Sequence, residues 1–367
     1  MILQELKLTN FRNYKEETVS FHPQINVIIG KNGEGKTNLL EAIYFLAGAK
    51  SFRSRFDKEA ILFEAQHANI HANLFLEERQ QEMILHLKKQ QKKEMFVNGV
   101  KQKKASDLSG KVKLVLFSPD DLYIVRGGAA ERRKMIDLCL SQLRPKYAMW
   151  LSEFHKLYEH KTRILKDYKE KPDLLYTLDD FNLQLAQTAA QLIYYRLAFL
   201  KKFAPLANKV HKACSGEKET LHLSYQTIAE ITDKEEKASV FFEQLMTQQE
   251  RLKEREIAAG YCLAGIHKDD IEISISGIFA RSFASQGQTR TAALSLKLAE
   301  REMIYEDTGQ YPLLLLDDVL SELDEQRQDF ILNRIGDGQV FITCCEDQKI
   351  AKRTGGKVIE IQKGRVI

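Results

Sequence analysis

Gly30-Lys31-Asn32-Gly33-Glu34-Gly35-Lys36-Thr37 combines the residue types and spacing needed to hold a nucleotide's phosphates. In this G-x-x-x-x-G-K-[ST] pattern, glycines let the backbone curl until successive N–H groups point at phosphate oxygens. The helix that follows adds its positive end. Lys36 is placed to reach the β- and γ-phosphates, and the Thr37 hydroxyl to ligate Mg²⁺. A glycine-rich turn without a ligand leaves Lys36 and Thr37 unexplained. A second chemical pair, Asp317-Asp318, closes the leucine run Leu313 to Leu316. Carboxylates at the end of a buried strand, in a chain with a phosphate loop, form the Walker B arrangement: Asp317 holds Mg²⁺ through water and Asp318 polarises the attacking water. The third feature, Ser285-Gln286-Gly287-Gln288, reads first as a capping box, with Ser285 as N-cap and Gln288 reaching back. A helix N-terminus opened by Ser and Gly is also a site for an anion.

These residues need strands and helices to place them. Ile25–Ile29 reads as a strand buried on both faces, and Thr37–Leu46 as the helix after the phosphate loop. His67–Val100 alternates, with Asn98-Gly99 as a hairpin turn, and Val112–Phe117 is a strand stopped by Ser118-Pro119. From about Arg132 the period becomes helical. One helix carries Tyr147, Trp150, Phe154, Leu157 and Leu165 and has Pro145 near its start. A second is capped by Asp179-Asp180 and has Pro205 near its end, and a third runs from about Lys234 to Ala259. Each spans roughly 35–40 Å. Strand Ile271–Ile275, a helix from about Ser285 to Glu306, and strands Leu313–Leu316 and Val340–Thr343 complete the chain. The fold class is α/β: a two-lobed P-loop ATPase head with an inserted short helical arm. Residues 1–130 form the N-terminal part of the head, 131–257 the arm, and 258–367 the C-terminal part with the Ser285 turn and Asp317-Asp318.

Length and composition bound this reading. A chain of 367 residues suggests two domains. Its mean hydropathy is −0.36, and no apolar run approaches the ~20 residues of a membrane span. The 55 Lys+Arg against 51 Asp+Glu leave +4, which excludes a histone-like polycation but not a nucleic-acid binder. Five cysteines without a C-x-x-C support neither a disulfide framework nor a zinc ribbon, so a reducing cytoplasm is expected. Between positions 88 and 104 stand Lys88, Lys89, Lys92, Lys93, Lys101, Lys103 and Lys104, opposed only by Glu94. Such a hairpin is either a lysine-protected edge or a sequence-independent, salt-sensitive surface for DNA phosphates. Arg132 and Arg133 are second candidates.

The order of motifs then narrows the family. Ahead of the Asp317 strand, Ser285-Gln286-Gly287-Gln288 resembles the S-x-G-Q signature of ABC-type ATPases, in which one subunit's signature contacts the γ-phosphate held by the other. Ser321-Glu-Leu-Asp324 resembles the D-loop that crosses the same dimer interface. Lys7–Tyr14, Leu116–Leu122, Gly265–Asp270 and Ser285–Arg290 together resemble the RecF/SMC group. The resemblance runs from about residue 3 to the last strand and is least distinct in the arm. It implies an ATP-driven homodimer that binds double-stranded DNA and gap junctions, and hydrolyses ATP slowly. It also implies action with RecR and RecO to load RecA at gaps, and a part in the SOS response. By the same pattern Arg12 and Asn32 look like further nucleotide contacts, Asp324 belongs to the dimer face, and Asp120 stands near the Q-loop position.

Two departures accompany the resemblance. Asp318 stands where transport cassettes carry Glu, and Thr343-Cys344-Cys345 stands where a switch histidine is expected. The competing readings are a transport cassette and an SMC-like structural ATPase. The signature lies 249 residues after the P-loop lysine (285 − 36), with a helical insertion between, which disfavours the cassette. An arm region of roughly 130 residues is too short for an SMC coiled coil. No N-K-x-D motif supports a GTPase.

Overall fold

The computed structural model describes residues 1–48, 50–103, 108, 110–229, 231, 237–345 and 348–367. In chain order the strands are β1 (Ile2–Phe11), β2 (Tyr14–Ser20), β3 (Ile25–Ile29), β4 (His67–Leu76), β5 (Arg79–Lys88), β6 (Glu94–Val97), β7 (Val100–Gln102) and β8 (Leu114–Phe117). They continue as β9 (Leu221–Gln226), β10 (Asp270–Ile275), β11 (Ile278–Phe279), β12 (Leu313–Asp317), β13 (Val340–Cys344), β14 (Lys357–Gln362) and β15 (Arg365–Val366). The helices are α1 (Lys36–Phe45), α2 (Leu122–Arg126), α3 (Ala129–Leu143), α4 (Pro145–Asp167) and α5 (Leu178–Cys214). Then come α6 (Ala238–Ala259), α7 (Ala280–Phe283), α8 (Gln286–Thr308), α9 (Glu325–Leu332) and α10 (Gln348–Thr354).

Two compact units result: Met1–Asp121 with Ala293–Ile367, and Leu122–Ala292. The first contains two six-stranded sheets. One, in order β2-β1-β4-β5-β6-β7, is antiparallel throughout. Its strands alternate buried with more exposed positions, as in β4, because one face packs on a core and the other meets water. The Asn98-Gly99 turn is as expected: both residues have positive φ, 50° and 75°, and Val97 pairs with Val100. The other sheet runs β15-β14-β3-β13-β12-β8, parallel from β14 to β8. Its central strands Leu313–Asp317 and Val340–Cys344 are buried along their whole length, and so is the edge strand Leu114–Phe117. Continuous apolar runs suit a parallel sheet covered on both faces. Helix α1 packs in the core that the two sheets share, with Leu39, Leu40, Ile43 and Phe45 fully buried.

The second unit holds α2–α7, the three-stranded sheet β11-β10-β9 and the first turns of α8. Its bounds are wider than residues 131–257. Strand β9, which the helical reading of the arm passed over, pairs antiparallel with β10, and this draws 270–275 into the same unit. Helix α5 has 37 residues and continues through Pro205 to Cys214, and Asp179 and Asp180 lie in its first turn behind an N-cap at Thr177. The third arm helix begins at Ala238; positions 234–236 lie outside the described residues.

Candidate nucleotide site

Strand order builds the site. Parallel strands β3, β13 and β12 lie side by side, so their C-terminal ends bring the phosphate loop, Thr343-Cys344-Cys345 and Asp317-Asp318 to one edge, where α/β sheets bind ligands. Asp317 pairs in register with Thr343. Two hydroxyls converge on its Oδ1: Thr37 Oγ1 donates at 2.9 Å, and so does Thr343 Oγ1. Thr343 Oγ1 also accepts from the Asp318 N–H at 2.9 Å. Asp318 has φ 54°, a left-handed backbone unusual outside glycine, and this hydrogen bond helps to hold it. Burial pushes the Asp317 carboxyl above the usual carboxylate range, against the two hydroxyls and Arg53, which favour the anion.

The loop itself is held from behind. Gly30, Gly33 and Gly35 have φ of 155°, 85° and 124°. A Cβ on Gly30 would fall 2.4 Å from the Ile361 carbonyl oxygen, and one on Gly35 would fall 2.8 Å from Asn13 Nδ2. Tyr14 Oη donates to the Gly35 carbonyl at 2.9 Å, and Asn13 Nδ2 to the Glu34 carbonyl at 2.8 Å. The Gly364 N–H donates to the Glu34 carbonyl at 2.9 Å, and the Lys363 N–H donates to the Glu34 side chain. Lys31, Asn32 and Gly33 are exposed at the tip. Lys36 is 7% exposed; its Nζ donates to the Gly30 carbonyl at 2.7 Å and lies 3.8 Å from Cys345 Sγ. The Cys345 thiol donates to Asn32 Oδ1 at 2.9 Å. Thr343-Cys344-Cys345 falls at the site, where the resemblance places the switch position, but sequence motifs did not reveal the bonds of Thr343 and Cys345 there, nor Asn13, Tyr14 or the Lys363-Gly364 turn as parts of it.

Other expected site residues fall elsewhere. The Arg12 guanidinium grips the buried Glu41 carboxylate through two bonds, Nε–Oε2 at 2.7 Å and Nη2–Oε1 at 2.6 Å, and also donates to Ser54 Oγ. Asp120 is exposed just after β8. Asp324 caps α9, its Oδ1 accepting from the Arg327 N–H at 3.0 Å, while Ser321 Oγ donates to the Asp318 carbonyl at 2.7 Å. In the second unit the capping box forms: the Ser285 N–H donates to Gln288 Oε1 at 2.9 Å and the Gln288 N–H to Ser285 Oγ at 3.1 Å. Ser285 and Gln286 remain exposed, and Gly287 half-buried.

The basic candidates separate into surface and interior. Lys92, Lys101 and Lys103 are exposed, whereas Lys104 lies outside the described residues. Glu94 accepts from both Lys88 and Lys101, and this holds its carboxyl down at about 2. Lys89 donates to the Phe63 carbonyl at 2.8 Å. Lys93 turns inward: it pairs with Asp57 at 3.0 Å and sits 5.3 Å over the Phe45 ring. Arg132 is 3% exposed, with two bonds to Asp270, Nε–Oδ1 at 2.6 Å and Nη2–Oδ2 at 2.8 Å, and further bonds to the Ile124 and Gly127 carbonyls. This corrects its placement on a DNA-facing surface, because a buried, saturated guanidinium cannot meet a phosphate. Arg133 donates to the Asp269 carbonyl and is half-buried.

A parallel sheet with a phosphate loop, a Walker B carboxylate pair and a separate Ser-Gln-Gly-Gln helix start defines an ABC-type ATPase head. The family model described as RecF/RecN/SMC N terminal domain matches residues 2–365. The "DNA replication and repair protein RecF" of Alkaliphilus oremlandii (strain OhILAs) is 38% identical over 371 residues, covering 100% of both chains. The protein of the same name from Shouchella clausii (strain KSM-K16) is 41% identical over 345 residues, 94% of this chain and 92% of that one. Among solved structures, "Structure of the recombination mediator protein RecF-ATP in RecFOR pathway" superposes with a TM-score of 0.92 at 32% identity, covering 100% of this chain and 97% of that one. An Smc head domain from Pyrococcus furiosus, at 15% identity and TM-score 0.57, shares the fold. The chain belongs to the RecF family of DNA replication and repair proteins within the RecF/SMC ATPases.

Proposed function

We propose that the chain is an ATP-driven switch that closes into a homodimer on DNA, each ATP lying between Lys36 of one subunit and Ser285 of the other. The observation that supports this most is the division of the motifs. The phosphate loop, Asp317 and Thr343 converge at one sheet edge, whereas the Ser285-Gln288 cap opens a helix in the other compact unit and leaves Ser285 exposed. Half of a phosphate site in each unit is what a two-fold dimer can complete. Dimer closure then draws on binding energy at the γ-phosphate, and hydrolysis resets it.

The donors suit ATP with Mg²⁺. The Thr37 hydroxyl and Asp317 carboxylate are hard oxygen ligands, the set Mg²⁺ takes when phosphates and water fill the rest of its shell. A cation there also offsets the burial of Asp317. Bound at this position, the metal supplies charge neutralisation on the phosphates. Lys36 contacts the same phosphates, Asp318 orients the water, and Arg12 braces the middle of α1 through Glu41. Asp318, one methylene shorter than Glu, and Cys345 in place of a switch histidine favour slow turnover.

DNA binding is sequence-independent and uses the exposed lysines of the β5–β7 hairpin. Partners are RecR and RecO, with RecA loading at gaps and a contribution to the SOS response as the downstream outcome. The relative solved in the RecFOR pathway supports this partnership. A gel shift with duplex DNA tests the reading: retention should appear with ATP and weaken steeply with salt. Equal retention with and without ATP rejects the switch.

A further inference from the structure

The Ser285-Gln288 turn is tied to the C-terminal end of the longest helix. Gln288 uses its Oε1 and N–H in the capping box, which leaves its Nε2; that group donates to Glu219 Oε1 at 2.9 Å. The other oxygen of Glu219 lies 3.3 Å from Nε2 of His211, a fully buried residue in the last turn of α5. Glu219 is itself fixed by the turn that follows α5. Its N–H donates to Ser215 Oγ at 3.2 Å, the Ser215 N–H to the His211 carbonyl at 2.9 Å, and the Glu217 N–H to the Lys212 carbonyl at 2.8 Å. Gly216 and Glu217 take φ of 64° and 62° to make the reversal. The start of β9 is pinned to the same helix, the Leu221 N–H donating to Asn208 Oδ1 at 2.9 Å.

Earlier in α5, Arg196 is 2% exposed and bonds Asp137 of α3 (Nη2–Oδ1 at 2.9 Å) and Asp269 ahead of β10 (Nη1–Oδ2 at 3.2 Å). A helix of 37 residues, about 55 Å long, is thus locked to its neighbours in mid-course, and His211 in its last turn meets the carboxylate that holds Gln288. We propose that Glu219 is a positioning residue for the signature turn, and that through it the end of α5 sets whether Ser285 and Gly287 are aligned for a γ-phosphate arriving on a second copy of this chain. Displacement of α5 relative to α8 then acts on the composite ATP site without touching the phosphate loop. This rests on the dimer reading above.

The test uses the full chain and a compensating pair. Gln288→Glu keeps the capping box, since Glu serves equally at that position, but sets two carboxylates against each other. Its expected effect is a loss of roughly tenfold or more in ATP-dependent dimerisation and hydrolysis, the scale of one hydrogen bond to a charged group. A fluorescent ATP analogue should still bind the monomer as in the unchanged chain. Adding Glu219→Gln restores a donor facing Glu at 288 and should recover most of the loss. Glu219→Gln alone keeps an acceptor for Gln288 and should be nearly neutral. Failure of the double variant to recover while its melting temperature matches the parent overturns the inference, as does Gln288→Glu behaving like the parent. If the unsubstituted chain stays monomeric with ATP, the dimer reading fails instead. Should Gln288→Glu not fold, restored folding in the pair without restored dimerisation also overturns the inference.

Discussion

Thr343 Oγ1 donates to Asp317 Oδ1 and accepts from the Asp318 N–H, both at 2.9 Å, so one hydroxyl ties the Asp317 carboxylate to the Asp318 backbone. Thr343→Val removes both bonds and leaves a backbone N–H and a buried carboxylate each short of a partner. Such loss costs about 1–3 kcal/mol. A lower melting temperature and a clear drop in hydrolysis are expected, with Thr343→Ser close to the parent. Equal hydrolysis in Thr343→Val and the parent contradicts this role.

Asp318→Asn retains the shape of the side chain and removes the charge proposed above to orient the attacking water. ATP binding should persist and the ATP-bound dimer should live longer. Analytical sedimentation with saturating ATP checks this; a purely monomeric variant shows that Asp318 does other work.

The hairpin surface can be tested apart from the interior lysines. Lys92, Lys101 and Lys103 are exposed, whereas Lys93 is engaged by Asp57. Reversal of Lys92, Lys101 and Lys103 to Glu should weaken duplex binding by an order of magnitude or so at low salt and flatten its salt dependence. Nucleotide affinity should not change. Lys93→Glu should instead lower the melting temperature. Unaltered DNA affinity in the triple variant assigns this surface to edge protection.

His267 gives the arm unit a pH dependence. Burial first, then Lys268 and Arg133, push its imidazole down to about 4, while Glu256 opposes them; the Tyr158 ring packs against it at 4.4 Å. With the unfolded value near 6.5, the unfolded chain binds the extra proton between those limits. Stability is therefore present above pH ~6.5 and is lost as pH falls toward 4, with a slope below the one-proton limit of ~1.4 kcal/mol per pH unit. Urea midpoints at pH 7 and pH 5 should converge in His267→Gln. An unchanged gap between them assigns the loss to other groups.

The parts legible in the sequence were those written in local spacing. The phosphate loop, the leucine run before Asp317, the Asn98-Gly99 turn and the Ser285-Gln288 cap each need only their own neighbours. The resemblance marks Thr343-Cys344-Cys345 as the switch position, but the bonds of Thr343 to Asp317 and of Cys345 to Asn32 arise because β13 lies between β3 and β12, a pairing that no short motif encodes. Behind the loop, Asn13 and Tyr14 reach carbonyls 21 positions away and the Gly364 N–H reaches Glu34 from the last hairpin, again outside any short motif. Two misplacements had visible signals. Arg132 shares a helical face with Ile136, Cys139 and Leu143, all buried, so its phase pointed inward. Strand β9, Leu221-His-Leu-Ser-Tyr-Gln226, alternates with period two inside a region read as helical.

An ATP site made from two copies of the chain is tested directly by mixing two crippled chains. Lys36→Ala lacks the phosphate-loop half, and Ser285→Arg lacks the signature half. Each alone should hydrolyse almost no ATP. An equal mixture should regain about a quarter of the parent rate, because half of its dimers hold one intact site of two. A mixture as inactive as its components, with dimers present, would contradict the shared site.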